Sequence, residues 1–144
     1  MSRKNLLIID GSSYLYRAFY ASGGLTTSKG FPTGAIVGVA SMLKSLWARN
    51  KADFVAVVFD PRGKTIRKEW YQDYKANRNQ MPDDLAKQLQ GVKKIITALG
   101  FEIIEVPYYE ADDVIGTLAR YGDRNNLKVR IASVSYTHLT LPTT

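Results

Sequence analysis

Hydrophobic residues along the chain fall into two alternating patterns. Residues 6–10, 54–60, 101–106 and 128–132 are short runs rich in β-branched and aromatic side chains. The first two are apolar almost without interruption, the pattern of parallel strands covered on both faces. Between the runs, apolar positions return at helical spacing: Ile36, Ala40, Leu43 and Trp47 form one set, and Leu85, Leu89, Val92, Ile96 and Leu99 another. The second set carries its own punctuation, with Pro82, Asp83 and Asp84 at its start and Gly100 just past its end. Residues 12–22 and 111–121 are the other helix candidates. Strands alternating with helices over this length predict an α/β fold, a mainly parallel central sheet flanked by helices.

Two segments stand apart. Between Pro61 and Met81 the chain places Arg62, Lys64, Arg67, Lys68, Lys75 and Arg78 among Trp70, Tyr71 and Tyr74, against only Glu69 and Asp73. Residues 134–144 carry no charged side chain and are rich in threonine. Composition narrows the picture further. The 144 residues hold no cysteine, so there is neither a disulfide nor a thiolate metal site, and the length fits one domain or part of one. Hydrophobic residues at 45% and charged residues at 23% are ordinary for a packed globular chain. Twenty Lys and Arg against 13 Asp and Glu give a net charge of +7, which makes a polyanion such as nucleic acid the first partner to consider. No apolar run approaches the roughly 18–20 residues of a membrane span. The run at residues 6–9 is too short for a secretion signal, so a cytoplasmic protein is expected, with no membrane contact.

The acids are placed in a telling way. Asp10 closes the first predicted strand, Asp60 the second, and Glu110, Asp112 and Asp113 follow the third where a helix begins. In an open parallel sheet the carboxyl ends of the strands line one crevice, and ligands bind there. Any one of these acids alone has a simpler reading as a helix cap or a first-turn residue. At three consecutive strand ends they instead predict a cluster, and clustered carboxylates repel one another unless a cation joins them. A hard divalent ion, Mg²⁺ or Mn²⁺, suits such oxygen ligands, and metal-assisted phosphodiester hydrolysis is the reaction class that follows. Zinc with its usual ligands has little support, because the one histidine, His138, lies in the threonine-rich tail. The basic, aromatic segment is the natural counterpart: cations neutralise phosphates and aromatic faces stack unpaired bases, although a solvated loop has the same composition. Other motifs fail. Gly63-Lys64-Thr65 looks like the end of a P-loop, but the first glycine of that motif would fall at Val58 inside a strand. Ser12 and Ser13 have no histidine nearby to activate them, and no G-x-G-x-x-G is present.

Three spaced segments carry a resemblance. Residues 7–18 (Leu-Ile-Ile-Asp-Gly-Ser-Ser-Tyr-Leu-Tyr-Arg-Ala), residues 57–60 (Val-Val-Phe-Asp) and residues 109–119 (Tyr-Glu-Ala-Asp-Asp-Val-Ile-Gly-Thr-Leu-Ala) resemble the N-terminal 5′-nuclease domain of bacterial DNA polymerase I, within the flap-endonuclease group. Tyr74-Lys75-Ala76-Asn77-Arg78 and Met81-Pro82-Asp83-Asp84-Leu85 extend the likeness, which runs from about residue 5 to residue 132. The resemblance implies a PIN-like α/β fold that uses two Mg²⁺ or Mn²⁺ ions to remove 5′ flaps and RNA primers, acting as a monomer on DNA with a single-stranded 5′ end. It implies that Asp10, Asp60, Glu110 and Asp112 bind metal and that Asp113 supports them. It also implies that Arg17, Lys64, Arg67, Tyr74, Lys75 and Arg78 contact DNA, most of them from an arch over the crevice.

The likeness breaks off after Ala132. There the family continues with Asp-Lys-Asp, whose acids hold the second ion, whereas this chain reads Ser133-Val134-Ser135-Tyr136-Thr137-His138. Residues 1–133 are therefore expected to be part of a 5′-nuclease domain and residues 134–144 a tail foreign to it, with little or no cleavage by this chain. Two other functions fit the same residues, a PIN-type ribonuclease and a non-catalytic nucleic-acid-binding fragment.

Overall fold

The computed structural model describes residues 3–63, 65–66, 81–134 and 139–140, the last two as backbone alone. Four helices and five strands are found among them. In chain order they are β1 (Asn5–Asp10), α1 (Gly11–Ala21), α2 (Gly34–Asn50), β2 (Phe54–Phe59), α3 (Asp83–Ala98), β3 (Glu102–Glu105), α4 (Ala111–Arg124), β4 (Lys128–Ala132) and β5 (Leu139–Thr140). The strands form one sheet in the order β3-β2-β1-β4-β5. All pairings are parallel except the last, where β5 runs antiparallel to β4 through Arg130 and Ile131. The expected α/β fold with a mainly parallel sheet is thus present, and the short fifth strand, inside the threonine-rich tail, is an addition to it.

Alternation along the central strands divides the interior into two layers. Leu7 and Ile9 of β1, with Val55, Val57 and Phe59 of β2, face α1, α2 and α3. Ile8, Val58, Val129 and Ile131 face α4, which presents Ala111, Val114, Ile115 and Ala119 to them. The continuous apolar character of β1 and β2 follows, since helices cover both faces.

The core face of α2 differs from the one its spacing predicts. Ala35, Val39, Leu43 and Leu46 are buried, while Ile36 is only half-buried and Trp47 is 42% exposed. The rotation follows from the small residues of the helix. A Cβ on Gly38 would stand 2.7 Å from the Cβ of Ala18, so α2 lies close against α1 along the face that glycine opens. Between α3 and α2 the contact is polar as well as apolar. Gln88, 1% exposed, accepts hydrogen bonds through Oε1 from the amides of Ala35 at 2.7 Å and Ile36 at 3.2 Å, and its Nε2 donates to the Asp84 carbonyl at 3.0 Å. Thr33, at the N-cap of α2, makes no side-chain cap bond, so the glutamine of a neighbouring helix satisfies amides that a cap would otherwise serve.

Candidate active site

The crevice lies at the carboxyl ends of β1 and β2 and the start of α4. Asp10 ends β1 and caps α1, its Oδ1 accepting from the Ser13 amide at 3.2 Å. Two residues past the strand, Ser12 Oγ accepts from the Asp60 amide at 2.9 Å, which ties the end of β1 to the end of β2. Asp60 in turn accepts from the Ala111 amide at 2.8 Å through Oδ1, which ties β2 to the first residue of α4. Glu110, the N-cap of α4, is 2% exposed and accepts through Oε1 from Thr65 Oγ1 at 3.2 Å. Asp112 and Asp113 occupy the first turn of α4, where its dipole favours negative charge.

These acids feel one another. Burial pushes the Asp10 carboxyl above its ordinary pKa, the Ser13 amide opposes that, and the charges of Asp112 and Asp60 add to the rise. Side chains from three separate segments thus share one electrostatic neighbourhood, as strand-end placement predicts. They are nevertheless pinned apart: Asp10, Asp60 and Glu110 each have an oxygen held by a different donor. Among the described residues no three His, Cys, Asp or Glu side chains stand close enough to share one ion. The donor set itself suits a hard divalent cation, being all carboxylate oxygen, and a cation would offset the burial and like-charge repulsion that raise Asp10.

A cleft of about 850 Å³ opens beside these acids. Asp60, Glu110, Thr65 and Arg62 line its polar side, and Tyr16 and Leu89 its apolar one. Arg17 is exposed on α1. Lys64, Arg67, Tyr74, Lys75 and Arg78 lie outside the described residues, and so does most of the basic, aromatic segment.

Several participants escape a reading of motifs. Ser12 and Ser13, which have no histidine to activate them, are ties between strand ends in the structure. Ser13 Oγ donates to the Asp10 carbonyl at 3.0 Å and accepts from the Val134 amide at 3.3 Å, and Ser133 Oγ stands 3.5 Å from Asp10 Oδ2. Thr65, in the Gly63-Lys64-Thr65 stretch that is no P-loop, is 3% exposed and donates to Glu110. Only the adjacency of Ser12 and Ser13 to a strand-end acid signals any of this in the sequence.

Comparison with known proteins decides the family. A family model for the 5′-3′ exonuclease N-terminal resolvase-like domain matches residues 5–136. The chain belongs to that family. Relatives of this exonuclease domain include DNA polymerase I of Pseudomonas aeruginosa, 53% identical over 120 residues, which cover 83% of the chain and 13% of that protein. Another is a 5′-3′ exonuclease of Aquifex aeolicus, 46% identical over 130 residues, which cover 90% of the chain and 45% of that protein. The chain therefore spans less than half the length of either relative. In three dimensions it is similar to the T5 D15 protein co-crystallised with metal ions, with a TM-score of 0.65, 22% identity, and coverage of 91% of this chain and 49% of that one. The D15 flap endonuclease in complex with DNA and metal ions matches with a TM-score of 0.64, 22% identity, and coverage of 90% and 48%. The chain has the PIN-like fold of those proteins.

Proposed function

We propose that the chain is part of a metal-dependent 5′ nuclease that hydrolyses phosphodiester bonds in DNA bearing a 5′ flap or single-stranded 5′ end, and in RNA primers. The observation that carries this reading is the tie of two strand ends and a helix start, Asp60 to Ser12 and Ala111 to Asp60, which brings acids of three segments beside one cleft in a chain of the exonuclease family. Asp10, Asp60, Glu110 and Asp112 would hold Mg²⁺ or Mn²⁺, with Asp113 in support, and a single copy of the chain supplies all of them. A divalent ion at such a site neutralises charge developing on the phosphate and eases ionisation of water. The protein's part is to hold the acids at fixed points along the crevice through Ser13, Ser12, Ala111 and Thr65. Arg17, Lys64, Arg67, Lys75 and Arg78 bind phosphates, and Tyr74 stacks on a base.

Residues 1–133 are the domain portion in this reading and 134–144 a tail foreign to it. Residues 133–138 read Ser-Val-Ser-Tyr-Thr-His where the family has Asp-Lys-Asp, so the two acids of that motif, which hold a second ion in the family, have no counterpart at that place. Without them a second ion would lack its ligands, and the charge neutralisation that it would supply would be missing. A 5′-flap cleavage assay with Mg²⁺ or Mn²⁺ tests this. The expected result is Mn²⁺ binding with little turnover by this chain. Turnover equal to that of the complete Aquifex exonuclease would refute the second-ion argument, and preference for unstructured RNA over flap DNA would refute the substrate.

A further inference from the structure

The cleft wall opposite α1 contains a pair of contacts that the ligand set above does not use. Thr65 Oγ1 donates to Glu110 Oε1 at 3.2 Å, and one residue on, the Ile66 amide donates to the Tyr108 carbonyl at 2.8 Å. One bond joins side chains and the other joins main chains, and both connect residues 65–66 to the three residues 108–110. Thr65 and Glu110 are 3% and 2% exposed, so water competes little for either group. The loop accommodates the second bond at a cost: Tyr108 has a φ of 79°, a conformation rarely adopted by residues with a side chain. Its neighbour Tyr109 donates its amide to the Val106 carbonyl at 3.2 Å, closing the turn that presents Glu110. The basic, aromatic run resumes at Arg67, immediately after the clipped residues.

We infer that Thr65 is a positioning residue for metal binding: its hydroxyl sets the orientation of the Glu110 carboxylate, and the Ile66–Tyr108 bond fixes the root of the basic segment to the same loop. The inference rests on the proposed role of Glu110 as a metal ligand. Carboxylates that ligate metals are themselves held by hydrogen bonds, and loss of such a partner weakens metal affinity about tenfold or more. A hydroxyl that only satisfied a buried acid would alter stability and leave ion affinity alone. Because the two bonds are adjacent, an ion that fixes Glu110 also slows opening at Ile66, and by linkage a closed Ile66–Tyr108 bond favours the ion.

The test is Mn²⁺ titration of the 144-residue chain by water proton relaxation, with Thr65→Val and Thr65→Ser compared at equal helical content. Thr65→Val is expected to weaken Mn²⁺ binding about tenfold. Thr65→Ser, which keeps the hydroxyl, restores the wild-type affinity. In a Glu110→Gln background the Thr65→Val change adds nothing, since the carboxylate it orients is gone. Hydrogen exchange at the Ile66 amide, measured on the unmutated chain, slows when Mn²⁺ is added, and this readout stands even if Thr65→Val does not fold. Unchanged Mn²⁺ affinity in folded Thr65→Val, a loss additive with Glu110→Gln, or unchanged Ile66 exchange overturns the inference while leaving the ligand set intact. Absence of Mn²⁺ binding by the unmutated chain overturns the ligand set and the inference together.

Discussion

Replacing Gln88 by Met offers a sharp check on how the helical layer is held. Methionine matches glutamine in length and flexibility but cannot accept the amides of Ala35 and Ile36. Ala35 is 0% exposed, so its amide would be left without water as well as without a partner. An unpaired buried donor costs about 1–3 kcal/mol. The Ile36 amide is only partly buried and adds the lower end of that range. Loss of the bond from Nε2 to the Asp84 carbonyl is milder, because that acceptor lies in the first turn of α3 next to solvent-exposed residues. The expected total is therefore about 2–4 kcal/mol, a large share of a small domain's stability. Urea denaturation of the 144-residue chain should show a lower midpoint with an unchanged slope. Mn²⁺ affinity measured well below the transition should stay at the wild-type value, since α2 carries none of the crevice acids. A loss of less than about 0.5 kcal/mol would mean that the α2 amides find other partners, refuting the remote-cap account.

Other expectations follow from single residues. Asn caps a helix about as well as Asp, so Asp10→Asn keeps the bond from Ser13 while removing a charge that burial and two neighbouring acids disfavour. Because the folded-state pKa of Asp10 lies above its ordinary 3.8, the wild type is at its best relative to Asp10→Asn below that pH and loses ground as pH rises through the folded value. Calorimetric melting at several pH values reads the sign, and a variant less stable than wild type at neutral pH would contradict it; the same variant should lose Mn²⁺ binding. Gly38→Ala should lower the melting temperature despite alanine's better helix propensity, because its Cβ meets that of Ala18 at 2.7 Å; overpacking of this kind costs about 1–3 kcal/mol. Lys51, at φ 38° just past α2, takes the left-handed position that glycine favours, so Lys51→Gly should stabilise by about 0.5–1 kcal/mol in the same melts.

Strand order of the acids was readable from the chain because it needs only one physical fact, that the carboxyl ends of parallel strands share an edge. Asp10, Asp60 and Glu110 follow the ends of apolar runs, and the structure lines one cleft with Asp60 and Glu110 while Asp10 feels the charge of Asp60 from the neighbouring strand end. Tertiary partners were less readable. The α2 stripe drawn through Ile36 and Trp47 is displaced toward Ala35 and Leu46, because hydrophobicity alone does not register that Gly38 lets α1 approach. Gln88 interrupts the apolar spacing of α3 and looks like a surface position until the start of α2 is seen against it. Thr65 has no signal of its own, since its partner is 45 residues away.

The two edges of the sheet differ in what they would admit. On β3, Glu102 and Glu105 are exposed, and the latter pairs with Lys93 at 3.0 Å, so a neighbouring molecule adding a strand there would have to bury charge. The β4 edge has a different guard, a two-residue antiparallel strand contributed by the uncharged tail across Arg130 and Ile131. Trimming the tail would bare the β4 edge and open it to strand-by-strand self-association, while the acidic β3 edge would remain protected.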